Sequence, residues 1–138
     1  MKSSRMLILL RHGKSRRDTG VADRDRPLAE RGEQDMPLIG EYLRKHEYIP
    51  RLMLCSPAVR TQQTAQLLAE AAQFDTADRL VLLPELYGAS ADEIQDAVLS
   101  RGVRVNKHVV ENEELRAGLG QFQRNGGVQR EKQLFACT

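Results

Sequence analysis

Met6–Leu10 reads Met-Leu-Ile-Leu-Leu, an uninterrupted apolar run that ends abruptly at Arg11. A run this short is too brief for a membrane span, and without polar alternation it predicts a strand covered on both faces. Strands of that kind belong to α/β sheets, in which helices supply both covers. The signature recurs at Arg51–Cys55 (Arg-Leu-Met-Leu-Cys) and at Leu80–Leu83. Helical patterns lie between these runs. Ala29–His46 carries Leu38, Ile39, Tyr42 and Leu43 on one stripe, and Pro37 predicts that the regular helix starts only near that point. Pro57–Ala72 repeats Ala58, Thr61, Ala65, Leu68 and Ala72 at steps of three and four, a narrow face of small side chains suited to lying close on a sheet. Ser56 and Pro57 read as its N-cap and first helical position, and Ser90 as the cap of a short helix over Ala91–Leu99. The order predicts an α/β fold: a three-layer, mostly parallel sheet flanked by helices.

At 138 residues the chain has material for one domain. A formal charge of +2 is too small to indicate nucleic acid or membrane as a partner. Arg11, Lys14, Arg16 and Arg17 form a local basic cluster, which suggests a small anionic ligand, whereas a plain solvated loop is the simpler alternative. Two cysteines, Cys55 and Cys137, offer no disulfide framework and fit a reducing, cytoplasmic setting. The N-terminal apolar stretch is too short and too soon charged for a signal peptide. After Leu99 the character changes: glycines scatter among Gln, Asn and Arg, and apolar residues thin out. Val103, Val105, Val109 and Val110 still suit a strand, and Glu111–Leu119 a weak helix. The expected organisation is therefore a domain over 1–100 and a divergent tail over 101–138, with rapid hydrogen exchange beyond about Arg101.

The chemistry-bearing signal is Arg11-His12-Gly13 directly after the first strand. Open α/β sheets bind ligands at the C-terminal ends of their strands. There the imidazole of His12 can attack phosphorus, the guanidinium of Arg11 can bind two phosphate oxygens, and Gly13 lets backbone amides approach. Gly13-Lys14-Ser15 also ends like a nucleotide-binding P-loop, but that motif needs a glycine where Ile8 stands, and no helix pattern follows. A second signal puts Arg60 in the first turn of the helix after the second strand, where the helix dipole already favours anions. In a doubly wound sheet the ends of neighbouring strands converge, so Arg60 can point at the phosphate that Arg11 binds.

Four segments in order resemble the histidine phosphatase superfamily, which has a phosphoglycerate mutase-like fold. They are Leu9-Leu10-Arg11-His12-Gly13-Lys14-Ser15, Asp25-Arg26-Pro27-Leu28-Ala29-Glu30-Arg31-Gly32, Ser56-Pro57-Ala58-Val59-Arg60-Thr61 with Thr64-Ala65, and Leu86-Tyr87-Gly88-Ala89-Ser90. The last is similar to the SixA-like phosphohistidine phosphatase branch, and the likeness covers roughly Arg5–Leu99. It implies that His12 is the transiently phosphorylated nucleophile. It also implies that Arg11 and Arg60 clamp the phosphoryl group and that Ser15 adds a phosphate contact. Two arginines neutralise that charge, and the reading includes no cofactor and no metal. Glu85, after the third strand, is the candidate proton donor, with an ordinary loop glutamate as the equal alternative.

The family carries a second histidine on a later strand, usually within a Gly-His-Asn-Pro-like segment, and this sequence has none. His108 lacks both the preceding glycine and the following Asn-Pro, and a surface histidine is its simpler reading. The break after Leu99 leaves three explanations: a diverged functional tail, a frame-shifted end, or a phosphate-binding relic. Few residues separate the Arg60 helix from Glu85, so the likeness also implies an open pocket without a lid. Such a pocket suits phosphohistidine presented on a protein, a phosphorelay protein being one case. A small phosphomonoesterase and a non-catalytic phosphate- or phosphoprotein-binding module are the alternatives.

Overall fold

The computed structural model describes residues 6–18, 20–101, 109–110 and 133–137. Its strands are β1 (Met6–Leu10), β2 (Leu52–Cys55), β3 (Leu80–Leu82), β4 (Val109–Val110) and β5 (Gln133–Cys137). Its helices are α1 (Glu30–Lys45), α2 (Val59–Ala72) and α3 (Ala91–Ser100), with short 3-10 turns at Asp23–Asp25 and Pro84–Leu86. The sheet order is β3-β2-β5-β1-β4. β1 pairs parallel with β4 and β2 parallel with β3, while β5 runs antiparallel to both of its neighbours.

Alternate side chains of β1 and β2 feed opposite cores, as the period of two in a strand requires. Ile8, Leu10, Met53 and Cys55 face Leu43 of α1 and Ala65 and Leu68 of α2. Leu7 and Leu54 face Leu83, Leu86 and the Ile94, Ala97 and Val98 face of α3. The expected α/β fold, with helices on both faces, is the observed one.

The small-residue face of α2 is buried throughout, with Ala65 and Thr64 at 0% exposure. It accommodates α1 at close range: a Cβ added at Gly40 would stand 2.7 Å from Ala71 Cβ and 2.7 Å from the Leu68 carbonyl oxygen.

Three local expectations are corrected. α1 runs through Pro37 from Glu30, because its first turns are fixed from outside. The Ala29 amide donates to the Lys14 carbonyl at 2.7 Å, and Gly32 and Met36 pack on Gly13. Those contacts offset a proline that costs about 3 kcal/mol in a helix interior. α2 starts at Val59 with Ala58 as its cap, so Ser56 is not the N-cap; its hydroxyl accepts the Ala58 amide at 3.3 Å instead. β1 and β2 are not neighbours, since β5 lies between them. The tail therefore supplies a strand with partners on both sides at Gln133–Cys137, where the sequence predicted none. Val109 and Val110 form the expected strand, whereas Val103, Val105, His108 and Glu111–Leu119 lie outside the described residues. Among the described residues no helix is long and apolar enough to cross a membrane.

Candidate active site

β1 carries Arg11-His12-Gly13 at its C-terminal end. The half-buried ring of His12 has Nδ1 2.7 Å from the Gly13 carbonyl oxygen. A carbonyl oxygen only accepts, so Nδ1 holds the proton and Nε2 of the neutral ring keeps a lone pair. Nε2 is therefore the nucleophilic atom that this geometry offers.

The Gly13 amide donates to the hydroxyl oxygen of Thr64 at 3.1 Å, and that hydroxyl donates to the Arg60 carbonyl oxygen at 2.8 Å. One threonine thus joins the His12 turn to the first turns of α2. The Gly13 amide itself is therefore taken by α2. Glycine is needed here for space: a Cβ would meet Met36 Cγ at 3.1 Å and Gly32 Cα at 3.2 Å, and one on Gly32 would overlap the Lys14 backbone. The segment after the turn pairs with the residues before α1 through a Ser15–Leu28 bridge and an Arg16 amide to Pro27 carbonyl bond of 2.9 Å. Among the described residues no helix follows Lys14 before the turn at Asp23–Asp25, as the rejection of a P-loop requires.

Arg60 is in the first turn of α2, as expected, with 0% of its surface exposed. A guanidinium without water must be paired. Its Nη1 donates to the Asp23 main-chain oxygen at 2.6 Å and its Nη2 to Asp23 Oδ2 at 3.2 Å. Asp23 Oδ2 also accepts the Tyr87 hydroxyl at 2.5 Å, and Oδ1 accepts Nε and Nη2 of Arg26 at 3.1 and 2.8 Å. Arg26 Nη1 continues the network to Ser15 Oγ at 3.0 Å and to the Arg16 carbonyl at 2.8 Å. The Tyr87 hydroxyl above all, then Arg26 and Arg60, outweigh burial and hold the Asp23 carboxyl down at about 2.

The predicted site residues thus divide. Ser15 and Arg60 enter one polar network, and His12 joins it through Gly13 and Thr64. Arg11 is exposed, and Glu85 is exposed on the turn after β3, where the Tyr87 two residues later reaches Asp23. Lys14, Arg16 and Arg17 of the basic cluster line an open depression of about 640 Å³, with Glu30 and Glu33 also in its wall. The expectation of an open pocket fails at Arg60, since the Asp23 turn lies against its guanidinium. Asp23, Thr64 and Tyr87 had no role in the sequence reading. Thr64 and Tyr87 were visible only as members of the segments that carry the resemblance, and Asp23 as one acid in the alternating Asp23-Arg24-Asp25-Arg26.

The model of the histidine phosphatase superfamily (branch 1) matches residues 7–102, which span every element from β1 to α3. The chain belongs to that superfamily. Its fold is similar to a crystal structure assigned to the phosphohistidine phosphatase SixA of Agrobacterium tumefaciens, with TM-score 0.64 and 26% identity over 86% of this chain and 80% of that one. A structure assigned to SixA from Nakamurella multipartitia gives TM-score 0.55 and 29% identity over 70% of this chain and 52% of that one. These likenesses put the superfamily member in the SixA-like branch. In sequence it is 34% identical to an uncharacterized chloroplastic protein of Arabidopsis thaliana over 95 residues, 68% of this chain and 44% of the relative. It is 35% identical to an uncharacterized protein of Mycobacterium tuberculosis over 101 residues, 73% of this chain and 60% of the relative. The chain thus spans about half the length of the curated relatives that it matches.

Proposed function

We propose that this superfamily member is a phosphatase that hydrolyses phosphohistidine on proteins through a phosphorylated His12. The observation that carries the reading is the contact of His12 Nδ1 with the Gly13 carbonyl oxygen. Nδ1–H of His12 donates a hydrogen bond to the Gly13 carbonyl oxygen, which leaves the lone pair of the neutral ring on Nε2, at a strand end tied by Thr64 to the helix bearing Arg60. In the first step Nε2 attacks phosphorus and the bond from phosphorus to the substrate nitrogen breaks. The departing imidazole takes a proton from solvent. In the second step water attacks phospho-His12, phosphate leaves, and the lone pair returns to Nε2. Arg11, Arg60 and Ser15 are the groups assigned to the phosphoryl oxygens, since phosphoryl transfer asks mainly for positioning and charge neutralisation.

Two features favour a nitrogen leaving group over an alkoxide. Asp23, the carboxyl bonded to Arg60, is held ionised by its donors and has no proton to give near neutral pH. An imidazole leaving group is protonated by water unaided, so the reading gives Glu85 no essential role. The likeness to structures assigned to SixA supports the same choice. Phosphate release from a phosphohistidine protein and from an aryl phosphate, for the wild type and His12→Ala, tests it. Release from the protein substrate that His12→Ala abolishes is the expected result. Preferential aryl phosphate turnover would make the chain a small phosphomonoesterase, and binding without turnover a phosphate-binding module.

A further inference from the structure

We propose that Asp23 is a latch on Arg60, its carboxylate occupying the guanidinium that a phosphoryl group must reach. The inference rests on the reading of Arg60 as a phosphate-binding group given above. Arg60 has no exposed surface, so no dissolved anion reaches it as the molecule stands. Two of its nitrogens donate to Asp23, one to the main-chain oxygen and one to the carboxylate. The Asp23 side chain, by contrast, is 51% exposed and lies on a three-residue turn, so it is the partner on the solvent side.

Carboxylate and phosphoryl oxygens are the two groups that a guanidinium fork matches best. They cannot share one fork, because two anions at that separation repel. An incoming phosphoryl group therefore displaces the Asp23 carboxylate. Arg26 and the Tyr87 hydroxyl hold that carboxylate from its other sides and so fix it on Arg60. A singly charged carboxylate ligand gains nothing in the exchange, since it replaces one carboxylate by another. A doubly charged tetrahedral oxyanion gains the extra charge. The latch lowers the affinity of both classes by the same factor, so at a given concentration only the more strongly held phosphoryl dianion displaces it.

Tungstate, a tetrahedral dianion, is a direct probe. Its binding to the full chain is measured by calorimetry for the wild type, Asp23→Asn, Tyr87→Phe and Arg60→Met, with a melting temperature for each. Asp23→Asn keeps the shape and removes the charge, and it is expected to tighten tungstate binding about tenfold, a size set by the screening of a half-exposed charge. It also lets acetate compete. Tyr87→Phe removes one donor that holds the carboxylate in place and tightens binding by a smaller factor. A merely structural lesion would not tighten binding. Unchanged or weaker binding in Asp23→Asn overturns the latch, and if that variant does not fold, the same outcomes in Tyr87→Phe decide. If neither the wild type nor Asp23→Asn binds tungstate, release of the latch has opened no site and the proposal fails. If the wild type binds and Arg60→Met binds equally well, it is the phosphate-binding reading of Arg60 that has failed.

Discussion

The hydroxyl of Thr64 accepts the Gly13 amide at 3.1 Å, so the end of β1 and the second turn of α2 are held by a single side chain. Thr64→Val keeps the volume and removes the acceptor. It leaves a buried amide unpaired and is expected to cost about 1–3 kcal/mol in urea unfolding. Turnover is expected to fall further than stability alone explains, because His12 then loses its fixed approach to phosphorus. Thr64→Ser, which keeps both bonds, should restore most of each loss. Equal turnover in the valine and serine variants would remove Thr64 from the positioning of His12.

Gly40 marks the closest approach of α1 and α2. Alanine there improves helix propensity by about 1 kcal/mol, but its Cβ would stand 2.7 Å from a carbonyl oxygen of the partner helix. Overpacking of that kind costs about 1–3 kcal/mol, so Gly40→Ala is expected to lower the midpoint of urea unfolding. An increase would mean that the two helices part with little penalty.

α3 begins with a reciprocal cap: the Ser90 hydroxyl accepts the Glu93 amide at 3.3 Å, and the Glu93 carboxylate accepts the Ser90 amide at 2.7 Å. Those bonds to Ser90 hold the Glu93 carboxyl below its ordinary 4.5. Ser90→Ala removes one half of the cap and is expected to destabilise the fold by about 1 kcal/mol by thermal melting. A change no larger than that at an exposed control site would show that the cap is dispensable.

Acid stability follows from Asp23. Its carboxyl lies at about 2 when folded against 3.8 as the ordinary value, so the unfolded chain binds more protons between those limits. The stabilisation is therefore present above about 3.8 and is lost as the pH falls through 2. Glu93 acts with the same sign. Unfolding free energy is expected to fall over that interval in the wild type and less steeply in Asp23→Asn. Identical slopes would mean that the bonds from Tyr87, Arg26 and Arg60 do not persist in solution.

Much of this molecule is legible in its sequence, and the boundary has physical causes. β1 and β2 announce themselves because a strand covered on both faces leaves an unbroken apolar run. α2 does so because a helix lying close on a sheet repeats small residues. Pro37 misled because propensity is local, while the turns before it are fixed by Lys14 and Gly13, far off in sequence. β5 was not legible, since a strand's partners are set by the whole sheet and not by the five residues themselves. In the site, His12 and Arg60 stood out as residue types in suggestive places. Asp23 did not, because an exposed acid in a polar loop looks like any other until its partners from α2 and the turn after β3 converge on it.

The central claim is that His12 Nε2 receives the phosphoryl group. Rapid acid-free quenching of the protein mixed with a radiolabelled phosphohistidine protein, followed by peptide mapping, tests it most directly. The expected result is transient label on His12 that is stable to alkali, lost in acid, and absent from His12→Asn. Label on another residue, or phosphate release by His12→Asn at the wild-type rate, would contradict it.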